Sequence, residues 1–305
     1  MRIVIAGGTS HIARAIVPYF LAAGDRLTLF ARRPELLAGT DVEVKSDFGA
    51  LTSTPCDILI NCIGAGTPDV VSKDPSRWFT VLEEFDELAL RSLREKNPEA
   101  LYIHFSSGAV YDRRGDELAG VDSCRTIFPN RICTADYYSI AKLYAEAKHR
   151  AHRQLRILDL RIFSFFSRYI KVDSGYFMTD LVTALLEGKE LTTSPGEMIR
   201  DYPHPADLSR LIIRCAREEK INRAIDVASA APLAKSEILK LFSEKFALRC
   251  NVAENSLQAS PNGEANIYLP TTEMAEKAVA WLPEFTSADT LVSETQAILS
   301  KYGKA

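Results

Sequence analysis

The sequence predicts an α/β protein, a doubly wound parallel sheet followed by a smaller mixed α/β region. Three observations carry this. Short strand-like runs alternate with helical periods through the first half of the chain. Ile58–Ile63 has the size of a strand buried on both faces, as in parallel sheets. The chain opens on an apolar run, a glycine pair and a helical period, the start of a right-handed βαβ unit.

The elements follow in order. Ile3–Ala6 is a short apolar strand. His11–Ala23 carries Ile12, Ile16, Tyr19, Phe20 and Ala23 at helical spacing and stops at Gly24. Arg26–Phe30 and Val42–Lys45 read as strands two and three, and Ile58–Ile63 as the fourth. Phe79–Leu93 is helical. Leu101–Phe105 is the fifth strand, ends at Ser106-Ser107-Gly108 and should lie central in the sheet. Tyr137–His152 is helical and Leu155–Ile162 is a strand. Beyond about residue 165 the alternation becomes irregular, with helical patterns at Tyr176–Glu187, Ala206–Glu218 and Lys235–Phe246 and a polar loop at Ser256–Gly263. The expected division is a nucleotide-binding domain over 1–165 and a substrate-binding region over 166–305, with segments crossing between them.

Composition narrows the function. Hydrophobic residues are 47% and charged residues 25%, the balance of a globular protein. Lys plus Arg is 37 against 40 for Asp plus Glu, a net charge of −3 that argues against a nucleic-acid grip. No segment reaches the roughly 18–20 apolar residues of a membrane span, and Ile3–Ala6 is too short for a signal-peptide core. Cys56, Cys62, Cys124, Cys133, Cys215 and Cys250 are scattered without C-x-x-C spacing, which suits buried thiols in the cytoplasm. His149 and His152 sit among Lys148, Arg150 and Arg153, the pattern of a solvated helical face, so no metal site is expected.

The segment Ile3-Val4-Ile5-Ala6-Gly7-Gly8-Thr9-Ser10-His11-Ile12-Ala13 joins a strand to a helix through a tight turn. Glycine there admits a sharp bend and close approach of a pyrophosphate, and the helix start offers open N–H groups. An ordinary strand-to-helix turn would look similar. In Rossmann-type folds an acid after the second strand binds the ribose of NAD, and arginine accommodates the 2′-phosphate of NADP. Here Leu29-Phe30-Ala31-Arg32-Arg33-Pro34 has no acid and two guanidinium groups, so NADP is favoured over NAD. A solvated basic loop is the plain alternative.

Tyr138-Ser139-Ile140-Ala141-Lys142 puts a phenol and an ammonium on one helix face. The ammonium lowers the phenol pKa, so Tyr138 can move a proton to or from a carbonyl oxygen. With 11 tyrosines a chance match is not rare, and Tyr144-Ala145-Glu146-Ala147-Lys148 is a second match, read as surface packing because Tyr144 projects from another face. Ser106-Ser107-Gly108-Ala109-Val110-Tyr111 supplies a hydroxyl at the end of the fifth strand that can hold the reacting oxygen.

Glycine turn, Ser107, Tyr138 and Lys142 in this order resemble the extended short-chain dehydrogenase/reductases, the NAD-dependent epimerase/dehydratase family acting on nucleotide sugars. Ser107-Gly108-Ala109-Val110-Tyr111 is similar to the family's S-x-x-V-Y, and Arg200-Asp201-Tyr202-Pro203-His204-Pro205-Ala206-Asp207-Leu208 to its R-D-Y-x-H-x-x-D-L. Alone, the latter stretch is also a loop with a helix cap at Asp207. The resemblance implies a catalytic Ser107, Tyr138 and Lys142. It implies cofactor contacts at Gly7, Thr9, Ser10, His11, Ile12, Arg32, Arg33, Asp47, Phe48, Cys62, Ile63, Gly64 and Phe163, besides Tyr138 and Lys142. Ser107, Ser164 and Arg200 would meet the substrate. The sequence departs from the family at Ser10 and Ala13 in the glycine turn, and at Ser164 and Ser167, where the family pattern has asparagine and glycine.

The family's 4,6-dehydratases carry an Asp-Glu pair where this chain has Gly108-Ala109, so dehydration is not expected. The arginines and the altered turn fit a dissociable NADPH. The reading is therefore an NADPH-dependent reductase of a keto group, with a 4-keto-6-deoxy nucleotide sugar as first choice. The alternatives are a nucleotide-sugar epimerase with tightly held NAD and a non-catalytic NADP-binding regulator. The family commonly dimerises, which makes a homodimer an expectation from the resemblance.

Overall fold

The computed structural model describes residues 1–65, 68–111, 127–253 and 267–304. Its first half runs β1 (Arg2–Ala6), α1 (His11–Ala22), β2 (Arg26–Phe30), β3 (Glu43–Lys45), β4 (Ile58–Asn61), α2 (Pro68–Lys73), α3 (Arg77–Glu95), β5 (Leu101–Ser107), α4 (Thr134–Ala151) and β6 (Arg156–Ile162). The rest runs α5 (Phe177–Glu187), β7 (Leu191–Thr193), β8 (Ile199–Arg200), α6 (Pro205–Ala216), β9 (Asn222–Val227), β10 (Leu233–Ala234), α7 (Lys235–Phe246), β11 (Cys250–Val252), β12 (Ile267–Tyr268), α8 (Glu273–Val279) and α9 (Ser287–Lys301).

Side chains alternate across a strand, so Ile3 and Ile5 leave β1 on one face and Val4 and Ala6 on the other, and all four are buried. The first pair joins Ile16 and Phe20 of α1 and Leu211 and Ile212 of α6. The second pair joins Leu90 and Leu93 of α3. Helices therefore cover both faces, and the apolar runs follow from that. The main sheet has the order β3-β2-β1-β4-β5-β6-β9, and its pairs are parallel. The order reverses between β1 and β4, the switch point that places ligands at the carboxyl strand ends.

A third apolar cluster gathers Phe166, Met178, Leu181, Val182, Ile238, Phe242 and Ile298 from the later part of the chain. The chain beyond residue 165 also returns to the main sheet, since α6 packs with α1 and β9 completes the sheet beside β6. The strand Arg26–Phe30 and the helix Lys235–Phe246 have the expected bounds, whereas β9 was not expected from the sequence.

Several expectations need correction. The fifth strand is interior but not the middle one, which is β4. The fourth strand stops at Asn61, leaving Cys62 and Ile63 in the loop after it. His204, not Asp207, caps α6: its ring accepts the Ala206 amide at 3.1 Å, while Asp207 accepts the amides of Glu284 and Phe285 at 3.0 and 2.9 Å. Cys133 is exposed, unlike the buried Cys56 and Cys215. His149 is fully buried rather than solvated. The Ser256–Gly263 loop and Cys124 lie outside the described residues.

Candidate active site

The first turn is built around Gly7. Its φ is +83°, and a Cβ there would sit 3.0 Å from the carbonyl carbon and oxygen of Cys62, so glycine is required twice over. The Gly7 and Gly8 amides both donate to the Phe30 carbonyl at 2.9 Å. That ties the turn to the end of β2, where Arg32 and Arg33 emerge exposed. Ser10 caps α1: its Oγ accepts the Ala13 amide at 3.2 Å, and its own amide donates to the Gly7 carbonyl at 2.9 Å. The side chain at the departure position is thus engaged with its own helix. The amides of His11 and Ile12 keep no protein acceptor among the described residues, which is the open N–H pair an anion takes at a helix start.

Thr9 is partly exposed beside this turn. The His11 ring lies edge-on to Phe165, with centroids 5.1 Å apart. Burial pushes it down to about 4 despite a hydrogen bond to the Ser167 backbone, so it is neutral. Burial also pushes the Cys62 thiol up to about 12, against a hydrogen bond from Ser10. Gly64 is exposed after β4, and the Ile63 amide donates to Asn61 Oδ1 at 3.0 Å. Asp47 is exposed and accepts the Gly49 amide at 2.8 Å. Phe48 packs between Phe30 and Phe85, at 5.9 and 5.2 Å between centroids.

Ser107 ends β5. Its Oγ accepts the Ala109 amide at 3.2 Å and so caps the 3₁₀ turn Gly108–Val110. A Cβ on Gly108 would lie 2.6 Å from the Phe163 ring, so the glycine lets that ring close over the strand end. Lys142 reaches back from α4 and donates to the Phe105 carbonyl at 2.6 Å. Burial pushes its ammonium down to about 8, against the pull of Asp159, Glu146 and Asp86. Tyr138 lies one helical turn earlier, with Lys142 Nζ 6.0 Å from its ring centroid. The Trp78 ring packs on Tyr138 at 4.6 Å. Tyr144 is 44% exposed, on the outer side of the same helix.

Ser164 is buried and its hydroxyl has no protein partner among the described residues. Arg200 is also buried. It donates to the Ile199 carbonyl at 2.9 Å, and its guanidinium carbon lies 5.9 Å from the Tyr268 ring centroid. Tyr268 lies 4.8 Å from the Phe163 ring, so Arg200 is joined through two aromatic contacts to the end of β5.

Two buried polar networks went unread in the sequence. Ser106 Oγ and Arg161 both donate to Glu146 of α4, with Ser106 Oγ and Arg161 Nη2 each at 2.6 Å. Arg161 Nη1 also donates to the Tyr111 hydroxyl at 2.5 Å, which in turn donates to Asp226 at 3.0 Å. These bonds pin the carboxyl ends of β5, β6 and β9 to α4. Deeper down, His149 Nδ1 meets Asp159 and Nε2 meets Asp86, both at 2.8 Å. His104 Nδ1 meets the same Asp159 oxygen at 2.8 Å, and Arg150 meets the other at 2.5 Å. Burial alone would lower His149, but its bonds to Asp159 and Asp86 outweigh that and push it up to about 9. Both carboxyls are held well below the usual range, against burial, by their histidine partners. Ligand atoms of His104, His149 and Asp159 lie within 4.8 Å of one another. Both His149 nitrogens are nonetheless committed to carboxylates, the geometry of a doubly paired imidazolium. The available signal was polar residues inside apolar strands, His104 and Asp159, which the β5–β6 register sets side by side.

Among the described residues no helix is long and apolar enough to cross a membrane. The model of the NAD dependent epimerase/dehydratase family matches residues 3–228. A UDP-glucose 4-epimerase of Streptococcus mutans is 24% identical over 123 residues, 39% of this chain and 36% of that protein's length. The UDP-N-acetylglucosamine 4-epimerase from Methanobrevibacter ruminantium M1, solved with UDP-N-acetylmuramic acid, matches with a TM-score of 0.80 at 15% identity over 98% of both chains. The UDP-glucuronic acid 4-epimerase from Bacillus cereus, solved with UDP-glucuronic acid and NAD, gives 0.74 at 15% identity, covering 99% of this chain and 100% of that one. At such identities the structural likeness carries the fold.

Proposed function

Since the chain belongs to the NAD dependent epimerase/dehydratase family, we propose that it is an NADPH-dependent reductase acting on a keto group of a nucleotide sugar, with a 4-keto-6-deoxy sugar as first choice. One observation carries the catalytic half. Lys142 Nζ donates to the Phe105 carbonyl at 2.6 Å and lies 6.0 Å from the Tyr138 ring centroid, and Phe105 stands two residues before Ser107 on β5. The open amides of His11 and Ile12 suit a diphosphate, and Arg32 and Arg33 favour a 2′-phosphate over a bare ribose.

The nicotinamide, when bound, supplies the hydride. The protein supplies the proton and the alignment. Tyr138 gives its phenolic proton to the carbonyl oxygen as negative charge develops there. Ser107 holds that oxygen by a hydrogen bond. Lys142 stabilises the phenolate left on Tyr138 and restores its proton. Neither Gly108 nor Ala109 offers an acid, so elimination of water is not part of the reading. Ser164 and Arg200 hold the substrate, and residues 166–305 contribute most of its pocket. The unpartnered Ser164 hydroxyl is the feature that supports a ligand there.

An epimerase with retained NAD is the second reading, favoured by the sugar epimerases among the relatives and by the NAD bound in the Bacillus cereus structure. The test is to purify the protein and extract any nucleotide. NADPH is then added with a panel of 4-keto nucleotide sugars, and absorbance of the reduced nicotinamide is followed. Stoichiometric NADPH oxidation with at least one sugar supports the reductase. Co-purified NAD and interconversion of sugar epimers without net oxidation replace it with the epimerase. NADPH binding without turnover of any sugar would leave only a regulator.

A further inference from the structure

Tyr138, Lys142 and Glu146 stand four residues apart on α4, so they share one face on successive turns. The first two are read as the acid–base pair. Glu146 has no part in that reading, yet it is buried, a rare place for a glutamate unless it is paired. Arg161 meets it as a fork, Nε to Oε1 at 2.9 Å and Nη2 to Oε2 at 2.6 Å. Ser106 Oγ donates to the same Oε1 at 2.6 Å.

The sheet prepares this meeting. Ser106 on β5 is in register with Arg161 on β6, and Arg161 with Asp226 on β9. Arg161 Nη1 donates to the Tyr111 hydroxyl at 2.5 Å, and that hydroxyl donates to Asp226 at 3.0 Å. Arg161 is thus fixed from the β9 side, and Glu146 ties the row to α4.

Two consecutive residues of β5 are therefore gripped from α4 just before Ser107. Lys142 Nζ holds the Phe105 carbonyl at 2.6 Å, and Glu146 holds the Ser106 hydroxyl. The two grips differ in stiffness. The lysine is one donor on a flexible four-carbon stem, whereas a carboxylate in a guanidinium fork has a set distance and direction. The stiffer grip decides where the end of β5 sits against α4. At the next residue, Ser107 Oγ accepts the Ala109 amide at 3.2 Å, so its own proton is the one it can donate to a carbonyl oxygen.

We propose that Glu146 is a positioning residue of the active site: by holding Ser106 and Arg161 it sets the Ser107 hydroxyl at its working distance from Tyr138 and Lys142. This rests on reading Ser107, Tyr138 and Lys142 as the catalytic groups of a keto reduction. The bonds of Glu146 go to Ser106 and Arg161, so it acts through β5 and not on the substrate. The two adjacent serines divide the work, Ser106 as the anchor and Ser107 as the hydroxyl that meets the reacting oxygen.

The test uses the full-length protein and two substitutions. Glu146→Gln weakens the fork and can cost stability. Ser106→Ala removes only the β5 arm and leaves the fork in place, so it answers the same question in a folded protein. Each should lower kcat of keto-sugar reduction roughly 10- to 100-fold, the effect of a misplacement of about 1 Å. NADPH affinity, from fluorescence titration, should hold. In a Ser107→Ala background neither substitution should lower kcat further, because the hydroxyl they place is gone. An equal fall in both backgrounds would show a merely structural role and overturn the inference, as would an unchanged kcat in Ser106→Ala. The second readout needs no substrate. Hydrogen exchange of the Ala109 amide, followed by NMR, reports whether Ser107 keeps its place and should quicken in Ser106→Ala. Unchanged exchange there also overturns the inference. Faster exchange in a protein that reduces no sugar would defeat the proposed function and leave the positioning standing. Sugar reduction indifferent to Ser106→Ala would do the reverse.

Discussion

Replacing His149 by Gln tests whether the buried charge network holds α3, α4 and β6 together. The wild-type ring bonds Asp86 and Asp159 at 2.8 Å each and is pushed up to about 9 from an ordinary 6.5. A shift of that size corresponds to about 3 kcal/mol of folded-state stability. The folded value is the higher one, so the contribution is fully present below pH 6.5 and lost as pH rises through about 9. Lys142 pulls the other way: its folded value is about 8 against 10.5, so stability is gained between those values as pH rises. The raw alkaline slope therefore mixes two opposite effects, and the difference between wild type and variant isolates the histidine. Urea unfolding at a series of pH values, followed by fluorescence of Trp78 and Trp281, measures it. The gap should narrow by about 3 kcal/mol between about pH 6 and about pH 9.5. A gap that stays constant across this range would refute the doubly paired imidazolium.

Other outcomes follow from the same geometry. Gly7→Ala forces a Cβ into the left-handed region and within 3.0 Å of the Cys62 backbone, so it should cost roughly 1–2 kcal/mol in a thermal or urea melt and weaken cofactor binding. Arg32→Ala and Arg33→Ala should each weaken NADPH binding roughly 10- to 100-fold, the size of one charge-assisted hydrogen bond. NADH binding, measured by fluorescence titration, should change little, and equal losses would show a merely solvated loop. Tyr138→Phe should lower the reduction rate roughly 10²- to 10⁴-fold while cofactor affinity holds, a split read from kcat and direct binding. Ser164→Ala should leave stability unchanged or slightly higher, because the hydroxyl has no protein partner, and should raise KM for the sugar.

Much of the fold was legible because a parallel sheet covered on both faces writes strands as continuous apolar runs. β1 and β4 are of this kind. The strand β9 was not, since Asn222-Arg223-Ala224-Ile225-Asp226-Val227 starts polar at the sheet edge and carries a buried Asp226. Asp226 is tolerated because Tyr111 and Arg161 meet it, partners more than sixty residues away in sequence. The same long-range compensation hid His149. On its own helix it stands among Lys148, Arg150 and Arg153, the local signature of a wet face. Its burial is decided by Asp86 and Asp159 on other elements. The helix cap at His204 was hidden differently, because histidine is not among the usual capping side chains. The placement of Tyr138 and Lys142 one turn apart on a helix, and of Ser107 at a strand end, was legible because it depends on local spacing. What Ser10 would do was not legible: a serine can face a ligand or its own helix, and only the backbone at Gly7 and Ala13 decides.

The proposed reduction is tested most directly by isotope transfer. The protein would be incubated with NADPH deuterated at nicotinamide C4 and with 4-keto nucleotide sugars, and the products examined by mass spectrometry and NMR. A keto reduction by Tyr138 leaves one deuterium on the carbon of the former carbonyl, in step with the NADPH consumed, and loses it in Tyr138→Phe. Epimerised sugar without label, together with nucleotide retained through purification, would contradict it.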